Sequence, residues 1–277
     1  MELWFKELHD AASGITFKIK EYLYSGKSPF QKIDVFEVET YGRVLVLDGM
    51  VMLTERDEFI YHEMICHPAL RVVHPDPEKI LIIGGGDGGT VREVMKYSEV
   101  KKVTLVEIDK EVVEVSKRYL HNISGALLDP RLEIRFEDGV HFVKHSEDKF
   151  DIILLDTSDP VGPAESLYRK EFYENCKNRL AQNGILVTQA ESPWAQLTTL
   201  KNLLSEIKGL FHKTTLYLSH IPTYPGGIWA FLMMGENYDI NKIQRPLPPG
   251  TKYYNDDVHI GMTALPQYLK EALDGNY

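Results

Sequence analysis

Residues 79–89 read KILIIGGGDGG, and the fold follows from that stretch. KILII is a continuous apolar run of strand length, and such runs suit a strand covered on both faces of a parallel sheet. The glycines then let the backbone turn sharply. TVREVMKY (90–97) resumes with apolar residues at helical spacing. A strand, a glycine loop and a helix in that order open a nucleotide-binding βαβ unit. Such a loop normally offers bare N–H groups and the positive helix end to an anion. Here Asp87 places a carboxylate there, so the loop either caps its helix with that carboxylate or receives a cationic group.

Working outward, strands and helices alternate. VTLVEI (103–108) precedes the helix KEVVEVSKRYL, LEIRF (132–136) precedes GVHFVKHS, and FDIILLD (150–156) precedes ESLYRKEFYENCKNRL (165–180). Gly184 is expected to cap that last helix, ahead of the strand ILVTQA. KTTLYLSH and IWAFLMMG add two strand-like segments. This alternation predicts an α/β fold with a doubly wound parallel sheet, whose ligands sit at the carboxyl ends of the strands. Upstream the period changes. ITFKIKEYLYSGK and KIDVFEVET alternate apolar and polar residues, Tyr41-Gly42 turns, RVLVL follows, and Asp48-Gly49 leads into MVMLT. Asp-Gly between apolar runs predicts a hairpin. Residues 1–58 are expected to form a small antiparallel β domain, and 59–277 the catalytic domain, opened by the helix EFIYHEMICHPALRVV and its HPDP terminator.

Bulk properties exclude some partners. The chain has 277 residues with 41 acidic against 31 basic side chains, a net charge of −10. That argues against nucleic acid and suits cationic ligands. There is no run long enough to span a membrane and no signal-peptide pattern at the start, and two cysteines, Cys66 and Cys176, make no disulfide framework. A cytoplasmic location is the expectation.

Four strands deliver an acid to one sheet edge: Asp87 after the first, Glu107 after the second, Asp138 after the third and Asp156 after the fourth; Gln189 ends the fifth. An acid about 20 residues past a glycine loop commonly binds a ribose hydroxyl pair, which is the reading for Glu107. Asp138 stands where it could bond an adenine amino group or cap a helix at Gly139. With Asp87 in the loop, a pyrophosphate would be repelled. A nucleoside whose tail ends in an ammonium, such as decarboxylated S-adenosylmethionine, would be attracted. Asp156 and Asp159, on a loop stiffened by Pro160, Gly162 and Pro163, suit a polyamine. HEMICH spaces His62 and His67 five apart, which is not a zinc-enzyme pattern. Both read as packing or polar-contact residues, and no metal is expected.

The motifs LDGMVMLTERDEFIYHEM, GGGDGG, EID, DTSDPVGPAES, IPTYPGG and KYYNDDVH together resemble those of the polyamine aminopropyltransferases, most closely the prokaryotic spermidine synthase type, from about Gln31 to about Pro266. The resemblance implies a Rossmann-like, S-adenosylmethionine-methyltransferase-type sheet and transfer of an aminopropyl group to putrescine. It implies no cofactor beyond decarboxylated S-adenosylmethionine as co-substrate, and a homodimer or homotetramer. By the same resemblance Gln31, Gly84, Gly86, Asp87, Glu107, Asp138, Gly139 and Pro163 hold the donor. Asp156 is the general base with Tyr61 beside it. His62, Asp159, Gln189, Tyr224 and Trp229 form the acceptor end; Trp229 reads equally as core. Acceptors such as agmatine, cadaverine or spermidine, and an ordinary methyltransferase on the same fold, are the rival readings.

Overall fold

The computed structural model describes residues 2–158 and 166–273. Asp159 and Pro163 lie outside them.

Five strands, β1 (Leu3–Leu8), β2 (Gly14–Lys27), β3 (Lys32–Val38), β4 (Gly42–Leu47) and β5 (Met50–Thr54), form an antiparallel sheet in chain order. The Asp48-Gly49 turn puts both residues at positive φ, 47° and 85°, as a two-residue hairpin with right-handed strand twist requires. The Asp48 carboxylate also accepts the Lys32 amide at 2.8 Å, tying the turn to β3.

Helix α1 (Glu58–Val72) links this sheet to the larger one, and all its residues except Phe59 are buried. The second sheet contains β6 (Lys79–Gly84), β7 (Lys102–Glu107), β8 (Leu132–Phe136), β9 (Phe150–Asp156), β10 (Leu180–Gln189), β11 (Lys213–His220) and β12 (Ile228–Gly235). Their order is β11-β12-β10-β9-β6-β7-β8. β6 to β10 run parallel, while β12 pairs antiparallel with β10 and with β11. The apolar run of β6 serves both faces. Ile80 and Ile82 pack with α1 and α2 (Gly89–Val94); after α3 (Lys110–Tyr119) and α4 (His121–Ser124) come α5 (Gly139–His145) and α6 (Lys170–Arg179), whose Phe142 and Phe172 pack with Leu81 and Ile83. Burying each such side chain contributes about 1.5–3 kcal/mol, so both faces hold this strand in register.

The chain runs outward from β6 through β7 and β8, then returns to place β9 on the other side of β6. The crevice therefore opens between the loops that leave β6 and β9 at their carboxyl ends. In that register Gly84 sits directly opposite Asp156.

Two details differ from the sequence reading. Gly184 does not cap α6: the helix ends at Arg179 and the chain enters β10 at Leu180 without a loop. The residue at positive φ is Asn183, 62°, inside an irregularity where β10 shifts register against β9. Gly184 is crowded instead, since a Cβ there would lie 3.1 Å from the Phe150 carbonyl. The second difference is α7 (Leu197–Ile207), which was not anticipated although Leu200, Leu203, Leu204 and Ile207 bury one helical face.

Candidate active site

A cavity of about 630 Å³ opens at the β6–β9 crevice. Gln31, Tyr61, His62, Gly84, Gly86, Asp87, Glu107, Asp138, Gly139, Asp156, Gln189, Tyr224 and Trp229 all line it. Thus every expected site residue within the described chain reaches one space. The N-terminal sheet supplies one wall through Leu45, Leu47, Val51 and Met52.

The glycine loop is shaped for close approach. Gly84 and Gly85 have φ of 79° and 71°, and a Cβ on Gly85 would stand 2.7 Å from an Asp156 carboxylate oxygen. Side chains are excluded so that Asp156 can sit against the loop. Its Oδ2 accepts the Thr90 hydroxyl at 2.6 Å, and its carboxylate accepts the Tyr61 hydroxyl. Burial raises the proton affinity of Asp156, and the charge of Asp87 raises it further. Burial likewise raises Tyr61, so its hydroxyl keeps its proton.

Asp87 is held from two sides. Its Oδ1 accepts the amide of Gly89, the first residue of α2, at 2.7 Å, and Gly88 between them is the N-cap. The same oxygen lies 3.2 Å from His62 Nε2. The His62 ring is buried, and its Nδ1 is 2.6 Å from Glu58 Oε2. Burial works against charge on this ring, but Asp87 and Glu58 overcome it and push its pKa up to about 10. One donor atom each from His62, Asp87 and Asp156 fall within 4.8 Å of one another. Metal ligation would require the ring to surrender a carboxylate partner, because both its nitrogens are engaged. His67, by contrast, is a buried polar contact, 3.1 Å from the Tyr97 hydroxyl and 3.0 Å from Glu93 Oε2.

Toward β7 and β8 the cavity becomes suited to a nucleoside. Glu107 accepts the Asp109 amide at 2.9 Å, and burial raises its pKa to about 7. Asp138 caps α5 by accepting the Val140 amide at 2.8 Å while lining the cavity. Asp109, quoted in the EID motif but given no role there, anchors the opposite wall. Its Oδ2 accepts Gln31 Nε2 at 2.9 Å and the Ser28 hydroxyl at 2.6 Å. It thereby locks the N-terminal sheet to the catalytic sheet beside the cavity.

Two aromatic rings form another part of the lining. Tyr224 and Trp229 meet edge-on with ring centres 4.7 Å apart. Trp229 is both buried and a cavity wall, so its two readings are both satisfied. The Tyr224 hydroxyl donates to the Met52 carbonyl at 2.6 Å. The loop that carries it is pinned by Asp57, which accepts the Thr223 amide at 3.1 Å and hydroxyl at 2.7 Å. Gln189 Nε2 donates to the Tyr168 hydroxyl and the Glu191 carboxylate, at 2.5 and 3.0 Å. The KYYNDDVH motif is docked by Glu63, which accepts the amides of Lys252, Tyr253 and Tyr254 at 2.8–2.9 Å. The Asp57 and Glu63 anchors are not read from the sequence, since each joins elements more than 160 residues apart.

Ribose hydroxyls donate hydrogen bonds best to an ionised carboxylate, so the raised Glu107 implies a pH signature. On the sequence reading of Glu107 as the ribose-binding acid, and with its pKa raised to about 7, nucleoside binding below that pH would expel a proton. The dissociation constant for an adenine nucleoside is then expected to fall by up to about tenfold per unit as pH rises from 5.5 toward 7, then to flatten. Calorimetric titration across pH 5.5–8.5 checks this, and Glu107→Gln should remove the slope. A flat profile in the unaltered protein would contradict it.

Comparison with known proteins agrees with the geometry. The Spermine/spermidine synthase domain family matches residues 58–244, and the Spermidine synthase tetramerisation domain family matches residues 3–55. The polyamine aminopropyltransferase of Bacillus cytotoxicus is 44% identical over 275 residues, covering 99% of this chain and all of that protein. The one from Clostridium perfringens strain SM101 is 46% identical over 280 residues, with 99% of each covered. A solved spermidine synthase in complex with the transition-state analogue AdoDATO superposes with a TM-score of 0.92 at 37% identity, covering 98% of this chain and 95% of that one. Spermidine synthase from Thermotoga maritima gives 0.91 at 37% identity, with 98% and 94% covered. The chain is an enzyme of the polyamine aminopropyltransferase family.

Proposed function

We propose that this aminopropyltransferase is a spermidine synthase. It moves the aminopropyl group of decarboxylated S-adenosylmethionine to putrescine and yields spermidine and 5′-methylthioadenosine. The observation that carries this reading is that four carboxylates line one cavity. Glu107 and Asp138 follow β7 and β8, Asp87 lies in the glycine loop, and Asp156 ends β9 opposite Gly84, with a carboxylate oxygen within 4.8 Å of one from Asp87. Acids after β7 and β8 suit an adenosine, and the adjacent pair suits the two amines that meet near the sulfonium, one on the donor's arm and one on the acceptor.

The chemistry is a displacement at carbon. The acceptor nitrogen attacks the methylene carbon bonded to sulfur, and the C–S electron pair leaves with the neutral thioether. The attacking nitrogen passes one proton to Asp156. The sulfonium is already an activated leaving group, so the reading includes no cofactor and no metal. A primary ammonium resembles lysine, with a pKa of about 10.4, so presenting it neutral at pH 7 costs roughly 4–5 kcal/mol. The raised proton affinity of Asp156 reduces that cost. Tyr61 and Thr90 fix the carboxylate so that its free lone pairs face the amine.

A homodimer or homotetramer is the assembly we infer. The family matched by residues 3–55 is described as a tetramerisation domain, and β1 exposes Leu3, Trp4 and Leu8 by more than half on a sheet edge. Among the described residues no helix is long and apolar enough to cross a membrane. The two buried free thiols fit a reducing cytoplasm.

Incubation with decarboxylated S-adenosylmethionine and equimolar putrescine, cadaverine, agmatine and spermidine tests the acceptor. Mass-resolved products should be dominated by spermidine. A different dominant polyamine would replace the acceptor, and methyl transfer from ordinary S-adenosylmethionine in place of any aminopropyl product would refute the reading.

A further inference from the structure

The side chain that pairs with Asp87 is itself held by a chain of alternating charge that the reaction as described does not use. Arg92 donates to Glu58 through both terminal nitrogens, Nη1 to Oε1 and Nη2 to Oε2, each at 2.9 Å. Glu58 Oε2 also meets His62 Nδ1 at 2.6 Å. His62 Nε2 faces Asp87 at 3.2 Å. Three elements contribute: Glu58 and His62 stand one turn apart on α1, Arg92 lies on α2, and Asp87 lies in the loop before α2. Arg92 is further fixed by Glu93 at 2.8 Å.

The sequence makes room for this arrangement. A Cβ at Gly89 would stand 2.2–2.5 Å from three ring atoms of His62. The last glycine of GGGDGG therefore serves the histidine ring. A cation inside an amine-binding cavity is costly unless it has a task, because it repels the substrate's own ammonium groups. The groups facing this ring are Glu58 and Tyr61 on its own helix, Asp87 in the loop, Arg92 on α2 and Asp156 on β9. Two of these, Asp87 and Asp156, are neighbouring acids that would otherwise compete for one proton.

We propose that Arg92 and Glu58 are positioning residues that hold His62 as the fixed partner of Asp87, so that Asp87 stays ionised for the donor's ammonium and Asp156 is left as the proton acceptor. This rests on the proposed roles of Asp87 and Asp156 and extends them to the division of labour between the two acids. The two-pronged Arg92 pairing fixes the plane of Glu58, and Glu58 fixes the tautomer and tilt of the ring. The ring then occupies Asp87 Oδ1 together with the Gly89 amide, leaving Oδ2 for a ligand. The positive ring also lowers the proton affinity of Asp156, against burial and Asp87, which raise it. Such an opposed pair of environments is how two adjacent carboxyl groups acquire different duties.

The test compares the unaltered enzyme with Glu58→Gln, Arg92→Gln, Arg92→Lys and His62→Gln. It reads donor KM, kcat, the pH profile of kcat/KM, methylthioadenosine affinity, and the titration of the His62 ring by NMR. The His62 resonance is assigned by its loss in His62→Gln. In the unaltered enzyme the ring should remain protonated through pH 9, and Glu58→Gln should bring its titration below that. Donor KM should rise at least tenfold in Glu58→Gln and Arg92→Gln, and less in Arg92→Lys, which keeps charge but loses the fork. Methylthioadenosine affinity should stay within about twofold, because that ligand lacks the ammonium arm. The acid limb of kcat/KM in His62→Gln should move to higher pH as Asp156 loses a nearby positive charge. Unchanged donor KM and an unmoved His62 titration in Glu58→Gln would overturn the inference. Equal losses of donor and methylthioadenosine binding would also overturn it, by showing a structural role alone. Absence of aminopropyl transfer in the unaltered protein would instead strike the functional reading on which it rests.

Discussion

Asp156→Asn is expected to lower kcat by about 10²–10⁴-fold, the range for removing a general base, while methylthioadenosine affinity changes little. Asparagine keeps the size of the side chain and still accepts the Thr90 hydroxyl, which donates to Oδ2 at 2.6 Å in the native arrangement. The Gly84 and Gly85 backbone that crowds this residue therefore need not move. What disappears is the group proposed to take the amine proton. In the intact site, burial and the charge of Asp87 both raise the proton affinity of Asp156, so the acid limb of kcat/KM should lie above the ordinary carboxylate range near 4. The sign follows directly. A raised pKa means that activity is lost as pH falls through that value, sooner than for an exposed aspartate. In Asp156→Asn this limb should vanish together with the rate. Single-turnover measurement of spermidine formation at pH 5–9 checks both. A variant retaining more than a tenth of kcat would remove Asp156 from the role of base. So would a variant whose nucleoside affinity collapsed alongside kcat.

Much of this site is legible in the sequence because parallel strands end together. Once KILII is read as a central strand, the residues just past each neighbouring strand must share one edge, and Asp87, Glu107, Asp138 and Asp156 do so. The hairpins were equally legible, since Asp48-Gly49 encodes its own backbone conformation. Contacts between elements distant in the chain were not. Nothing local in DEFIYHEM says that Glu58 will meet Arg92, 34 residues on, or that Asp109 will grip Gln31, 78 residues earlier. Such pairs depend on helix packing and on the docking of the two sheets. Gly184 misled for a related reason. Glycine after a helix ordinarily signals a cap, but here parallel pairing with β9 already begins at Leu180, and the helix ends where the strand starts. For α7 the signal was present: four apolar residues at helical spacing in LTTLKNLLSEI.

Asp87→Ala should separate the donor from its product. The affinity for decarboxylated S-adenosylmethionine is expected to fall by about 30-fold or more, since losing one partner of a buried charge pair costs about 2–5 kcal/mol. Methylthioadenosine, which has no ammonium arm, should bind within a fewfold of normal through Glu107 and Asp138. Removing the carboxylate has two local consequences. The first is that the His62 ring, 3.2 Å from Asp87 Oδ1, loses one of its two anionic partners and its proton affinity falls. The second concerns Asp156, whose proton affinity Asp87 raises and His62 lowers. With Asp87 gone, only burial holds Asp156 up, so the acid limb of whatever activity remains should move to lower pH. Calorimetry with both ligands and a pH profile at saturating donor measure these effects. Equal losses for donor and product would show that Asp87 serves the loop, through its bond to the Gly89 amide, and not the ammonium. An acid limb moving upward would show that Asp87 does not repel the negative charge on Asp156. The carboxylate that looked out of place in a glycine loop would then hold that loop only, and the assignment of the ammonium arm to it would fall.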